Sequence, residues 1–283
     1  MARDGALQTT LLTVVALLAF AANSLLCRMA LGARAIDPLS FTCVRLCAGA
    51  LVLWPLAKAA APGVALARAG TWRSALALFG YAIAFSWAYV ALNTATGALI
   101  LFASVQCTMI AVGIASGERL GFAQAAGVAM AASGLGYLLL PGASAPSPGS
   151  AALMVAAGSA WGLYTLWGRG AAQPLVITAG NFARATLPAV LAAALGAARL
   201  HVSPRGVALA AVSGAVTSGL GYAIWYRALR GLTATQAAIL QLSVPVIAAV
   251  GAVAVLHESV NPRLAISSVA VIGGVALVLS ARR

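Results

Sequence analysis

Ten apolar runs fill this chain almost end to end, and that pattern decides most of what it can become. A bilayer-spanning helix needs about 20 consecutive apolar residues. Runs of that kind fall at 7–31, 38–57, 71–92, 94–116, 121–140, 149–170, 174–198, 204–229, 233–256 and 261–281. Of 283 residues, 63% are apolar and only 7% charged, whereas about a quarter are charged in a soluble domain. Such hydrophobicity also excludes a disordered chain. The expected fold is an all-α integral membrane protein with ten transmembrane helices. The first run is too long, and too soon followed by another, to be a cleaved signal.

The net charge of +13 is spread along the chain: cations punctuate the apolar runs and form no patch. Nucleic-acid binding requires basic residues clustered on a solvated face, so it is excluded as a function. The cations report topology instead. With the N-terminus in the cytoplasm, Arg3, Lys58, Arg68, Arg73, Arg119, Arg169, Arg227, Arg230, Arg282 and Arg283 lie inside, and Arg28, Arg34, Arg199, Arg205 and Arg263 outside. Ten against five favours both termini inside a bacterial inner membrane.

A Pro-, Gly- and Ser-rich stretch, Pro141 to Gly149, is uncharged and full of turn formers. It divides the helices five and five: a first repeat over 1–140, a linker over 141–148 and a second repeat over 149–283. The halves echo each other. Phe20-Ala-Ala-Asn23-Ser-Leu-Leu-Cys-Arg28 matches Trp161-Gly-Leu-Tyr164-Thr-Leu-Trp-Gly-Arg169 at an offset of 141. Tyr89-Val-Ala-Leu matches Tyr226-Arg-Ala-Leu, and Thr94-Ala-Thr96 matches Thr233-Ala-Thr235. Gly117-Glu118-Arg-Leu matches His257-Glu258-Ser-Val at an offset of 140. Because five is odd, the second repeat enters the membrane from the opposite side. Inverted repeats are the architecture of many secondary transporters.

With its Trp161-Gly162 pair (Phe20-Ala21 in the first half), its Gly117-Glu-Arg-Leu120 segment and the following Gly127 and Gly134, the chain resembles the EamA-type transporters of the drug/metabolite transporter superfamily. The resemblance covers about 7–281. It implies two five-helix repeats and a cavity lined by helices one, three, four, six, eight and nine. Aromatic positions in both halves make the chain look like bacterial exporters of aromatic and other amino acids.

All four acids, Asp4, Asp37, Glu118 and Glu258, lie at termini or helix ends. No predicted membrane interior holds the carboxylate that proton-coupled antiporters use. Glu118 and Glu258 are read as complementing the dipoles of the helices they open. His201 and His257 lie near loops, which disfavours a proton relay. Two cations fall inside spans, Arg45 and Arg184. Either could pair with a substrate carboxylate; the reading preferred is snorkelling or binding to helix-end carbonyls.

The substrate-binding candidates are neutral: Asn23, Tyr81, Phe85, Tyr89, Gln106, Trp161, Tyr164, Tyr222, Tyr226 and Gln241. A buried amide is costly unless paired, so each faces either a cavity or another helix. Residues 81, 85 and 89 share a helical face, as do 222 and 226. Trp54, Trp72 and Trp167 fit interfacial anchors. Gly97, Gly219 and Pro245 are hinge candidates, Pro245 because it removes a helix hydrogen bond in mid-span. Cys27, Cys43, Cys47 and Cys107 are read as small core residues, with no metal site. There is no P-loop, hence no direct use of ATP, and no cofactor is expected.

Together these features predict a secondary exporter of aromatic and other apolar amino acids and similar metabolites. It would work by alternating access, as a uniporter or exchanger, with its substrate and the lipid bilayer as partners; a monomer is compatible with this. A carrier of a nucleoside or sugar derivative is the alternative. An intramembrane lipid-modifying enzyme is remote, because the chain offers no cluster of His, Asp, Glu or Ser at one depth.

Overall fold

The computed structural model describes residues 2–117, 120–142, 145–169, 171–232, 237 and 240–280. Among them the chain forms ten helical rods and no strand. They are α1 (Ala2–Leu31), α2 (Pro38–Ala60), α3 (Trp72–Ala88), α4 (Thr94–Ala115), α5 (Phe122–Leu139), α6 (Pro148–Gly168) and α7 (Pro174–Leu195). Next, α8 is a continuous rod of Pro204–Val212, a π-helical stretch Ser213–Leu220 and Gly221–Ala228; α9 (Ser243–Leu256) and α10 (Pro262–Ser280) complete the set. Seven of these are long and apolar enough to cross a membrane. Just before α9, Leu240 and Gln241 are helical and Leu242 is a turn, and α9 begins at Ser243.

Proline and a small polar residue set where the helices begin. Pro38, Pro148, Pro174 and Pro204 occupy the first turns of α2, α6, α7 and α8, where a missing N–H costs nothing because it would have no helical partner. Asp37 caps α2 by accepting from the Leu39 and Ser40 amides, both at 2.9 Å. Ser203 accepts from the Gly206 amide at 3.1 Å, Thr71 from Ser74 at 3.1 Å and Asn261 from Leu264 at 2.8 Å. Each cap satisfies a donor that would otherwise be orphaned in hydrocarbon or at its edge.

α2 packs against α7, α5 against α10, and α4 against α9. The pairs α3–α6, α4–α6 and α3–α7 are matched by α8–α1, α9–α1 and α8–α2. Gly127 and Gly134 have a packing role. A Cβ on Gly127 would lie 2.6 Å from the Gly274 carbonyl, and one on Gly134 would lie 2.7 Å from the Ala270 side chain. These glycines let α5 and α10 approach closely, as small residues do between membrane helices. The outer face carries exposed Leu51, Phe122, Leu195 and Val269, the surface expected where lipid is the solvent.

Candidate functional site

The helices enclose a cavity of about 680 Å³. Its floor, at mid-bundle, is formed by Phe20, Asn23, Arg45, Tyr81, Trp161 and Tyr222; its mouth reaches Ser116, Arg169, Leu229 and Leu279. Those last residues all lie at one end of the bundle, so the cavity is open there. At the opposite end the chain is closed by a polar knot. Glu258 accepts from the Thr94 amide at 2.8 Å and its hydroxyl at 3.2 Å, and pairs with Arg28 Nε at 3.4 Å. Arg28 also donates to the carbonyls of Tyr89 and Val90, at 3.3 and 3.2 Å.

Nine of the ten binding candidates line the cavity: Asn23, Tyr81, Phe85, Gln106, Trp161, Tyr164, Tyr222, Tyr226 and Gln241. Tyr89 does not. Helix α3 ends at Ala88, and Tyr89 is its fully buried capping residue, with its ring edge-on to Phe85 at 4.7 Å and beside Gly97. Its hydroxyl donates to the Thr94 carbonyl at 3.3 Å, which makes it part of the closed end. Tyr89→Phe removes the long hydrogen bond to Thr94 and the hydroxyl's interaction with Ser24, a loss of about 1 kcal/mol. We expect transport KM in reconstituted vesicles to stay within about twofold of the parent, an effect too small to register as lost binding energy.

The aromatic faces converge on Trp161. Its ring stacks on Tyr164 at 5.2 Å and on Tyr222 at 5.3 Å, and meets Tyr81 at 4.9 Å. Three helices thus build one aromatic surface. Phe20 extends it from α1, edge-on to Tyr222 at 5.7 Å and Trp225 at 5.8 Å. At the open end Arg73 covers the Trp167 ring at 3.7 Å.

Neutral polar groups are held by the irregular part of α8. In the π-helical stretch the Thr217 hydroxyl donates to the Ser213 carbonyl at 2.7 Å. Both hydroxyls reach Asn23 Oδ1, Ser213 at 2.7 Å and Thr217 at 3.2 Å. Asn23 is therefore bound between helices and also lines the cavity. π-Bulges recur at functional sites because they turn side chains out of the regular register.

Helices α2, α7 and α10 also line the cavity, beyond the six helices implied by the resemblance. α7 contributes Thr178 and Asn181, which sequence reasoning missed. The Thr178 hydroxyl is hydrogen-bonded to that of Tyr226 at 3.0 Å. Asn181 donates to Tyr164 Oη at 3.5 Å and accepts from the Thr71 amide at 2.9 Å. A signal was available: Asn181 follows the opening Pro174 by seven residues, as Arg45 follows Pro38.

The snorkelling reading fails for Arg45. It is only 2% exposed and lies in the cavity wall. Tyr81 and Phe85 face it with their rings 5.2 Å from the guanidinium. Arg184 donates to the Gly180 carbonyl inside α7 and to the Ala69 carbonyl in the segment before α3, neither of them the end of an α-helix. Glu258 caps α4, not the helix that follows it, because α10 is capped by Asn261. Glu118 and the Thr233-Ala-Thr235 match lie outside the described residues, as does the Asp4 side chain.

Of the hinge candidates, Gly97 sits inside an unbroken α4 against the Tyr89 ring. Gly219 lies in the π-helical stretch. Pro245 is the third residue of α9, just after the break at Leu242. It has no N–H for the Gln241 carbonyl, and the nearby Leu240 carbonyl is satisfied by the Ser243 hydroxyl at 2.6 Å. All four cysteines are free thiols.

Comparison with known proteins gives the fold and helical content a context. The EamA-like transporter family matches residues 149–280. The uncharacterized protein PA1977 of Pseudomonas aeruginosa is 53% identical over 275 residues, covering 97% of this chain and 96% of that one. A solved crystal structure shares the fold with a TM-score of 0.70, at 22% identity and over 97% of each chain. The chain belongs to one family with the Pseudomonas protein, its residues 149–280 match the EamA-like transporter family, and its apolar helices make it a multi-pass membrane protein.

Proposed function

We propose that the protein is a secondary exporter of aromatic and other apolar amino acids and related small metabolites. The observation that carries this reading is the cavity itself: about 680 Å³, closed at one end, with aromatic faces and amides around its floor. Its volume suits one small metabolite. By the cation count the open end faces the cytoplasm, so the substrate would enter from inside. Release would require the Glu258 knot to open while the Arg169 end closes. The matched packing pairs, α3–α6 with α8–α1 and α4–α6 with α9–α1, support two inverted repeats that exchange roles. Asp37 and Glu258 both lie at the closed end, away from the cavity, which favours uniport or exchange over carboxylate-mediated proton antiport.

Counterflow in liposomes with labelled phenylalanine, tryptophan and threonine tests the reading, with and without a pH gradient. Saturable uptake indifferent to the gradient is expected. Trp161→Ala should raise KM about three- to tenfold, since the substrate's apolar group loses a stacking partner worth about 0.5–1.5 kcal/mol. No movement of any of these solutes by folded protein would sink the amino-acid reading.

A further inference from the structure

Arg45 is a buried cation whose charge the protein leaves unanswered. Its Nη2 donates to the Tyr81 hydroxyl at 3.0 Å and its Nε to the Ser218 hydroxyl at 3.3 Å. Its Nη1 is buried and has no hydrogen-bond partner. Both partners are neutral, and the two aromatic rings beside it offer only π faces. A guanidinium carries five N–H donors in a planar fork, and an unpaired one at bilayer depth is costly enough to mark a functional position. Tyr81, Ser218 and Arg45 all line the cavity. The fork is thus held in place by hydroxyls from α3 and α8, with one nitrogen left to donate. No Asp or Glu occurs among the described lining residues; Arg169, at the mouth, adds a second positive charge.

We propose that Arg45 is the anchor for a substrate carboxylate, and that the site takes aromatic monocarboxylates whether or not they carry an α-amino group. This rests on the transport reading above and narrows it. A carboxylate can take one N–H bond from the free Nη1 and a second from the Nη2 proton that Tyr81 does not use, a pairing that is both strong and directional. The aryl group then lies on the surface built by Trp161, Tyr164 and Tyr222. An α-ammonium brings a second charge into the same dry site and meets only hydroxyls, amides and rings there. Removing it leaves the carboxylate pair intact and avoids desolvating an unpaired cation. An amine without a carboxylate faces the Arg45 charge with nothing in return.

Three ligands with one phenyl ring separate these demands: 3-phenylpropionate, phenylalanine and 2-phenylethylamine. Each is titrated into the purified full chain while the fluorescence of Trp161 and Trp225, both in the cavity wall, is followed. 3-Phenylpropionate should bind at least as tightly as phenylalanine, and 2-phenylethylamine about 30-fold or more weakly, the range of a charge-assisted bidentate pair. Arg45→Gln should erase the advantage of the carboxylate by weakening 3-phenylpropionate, while 2-phenylethylamine, freed of the repelling charge, binds no more weakly than before. If that variant does not fold, the three ligands on the parent protein still decide. Equal binding of 2-phenylethylamine and 3-phenylpropionate overturns the proposal, as does unaltered 3-phenylpropionate binding in folded Arg45→Gln. In either case phenylalanine counterflow can still succeed, so the transport reading survives. Conversely, 3-phenylpropionate bound and moved while phenylalanine is neither leaves the carboxylate anchor standing and removes amino acids as substrates.

Discussion

Gly214→Ala is expected to cost the protein a large part of its stability, although it adds a single methyl group. Gly214 lies in the π-helical stretch of α8, where α8 crosses α2. A Cβ there would sit 2.8 Å from the Arg45 carbonyl carbon and 2.9 Å from its Cα, and would press on the carbonyl oxygen. These are backbone atoms, so no side chain can rotate away and α2 must move as a rod. Overpacking of that kind costs about 3 kcal/mol or more, a large part of a marginal stability. Because the displaced backbone is that of Arg45, the cavity wall moves with it. Gly80→Ala is the control: nothing lies within 4 Å of its Cβ position, and the change gains up to about 1 kcal/mol of helix propensity. Size-exclusion profiles after stepwise heating should show Gly214→Ala aggregating on the order of 10 °C below the parent. Gly80→Ala should be unchanged or slightly raised. A Gly214→Ala protein as stable as the parent would mean that α2 and α8 do not approach as closely as described.

The second large effect is expected at Glu258, and it concerns conformation more than stability. One carboxylate ties the end of α1 through Arg28 and the start of α4 through Thr94 to the segment joining α9 and α10. The first two elements come from one half of the chain and the third from the other. His257 makes the reach possible: it adopts a left-handed conformation (φ 53°) after α9, and the Glu258 amide turns back to the Ala252 carbonyl at 3.1 Å. A negative charge at the α4 N-terminus also complements that helix's dipole. The side chains of Arg28 and Glu258 are 24% and 12% exposed, so the pair ranks between a surface ion pair and a buried one, about 1–3 kcal/mol. Glu258→Gln keeps the shape and removes the charge, which shifts the population toward opening at this end. Cys27, beside Arg28 and fully buried, reports it. With Cys43, Cys47 and Cys107 replaced by Ala, reaction of Cys27 with a charged thiol reagent should speed up about 5- to 150-fold. An unchanged rate in a protein that still transports would show that the knot does not hold the end closed.

Much of this fold can be read along the chain, because a bilayer makes the rules local. Apolar length marks a span, and Pro38, Pro148, Pro174 and Pro204 mark helix starts. The cavity was legible in part for the same reason: a polar or aromatic side chain within a span such as Asn23, Gln106 or Tyr222 needs a partner or a cavity, and in these cases the cavity is there. Tyr89 shares its face with Phe85, whose ring lies 4.7 Å away, but it sits at the closed end against Thr94, and a shared face says nothing about depth in the bundle.

The residues whose meaning depends on other helices were beyond such reasoning. Arg45 can snorkel or be enclosed, and the choice belongs to Tyr81 on α3 and Ser218 on α8. Glu258 can cap its own helix or another; a left-handed residue and a helix start 164 residues away decide it. By itself the sequence determined the helical, apolar character of the chain and the membrane setting, since each depends on neighbours along the chain and on the energy of placing a side chain in hydrocarbon. Only the tertiary structure decided which polar groups face one another, which end of the cavity is open and which charge is left unpaired. Those are contacts between distant segments, and in a bilayer they turn on where small residues let backbones touch.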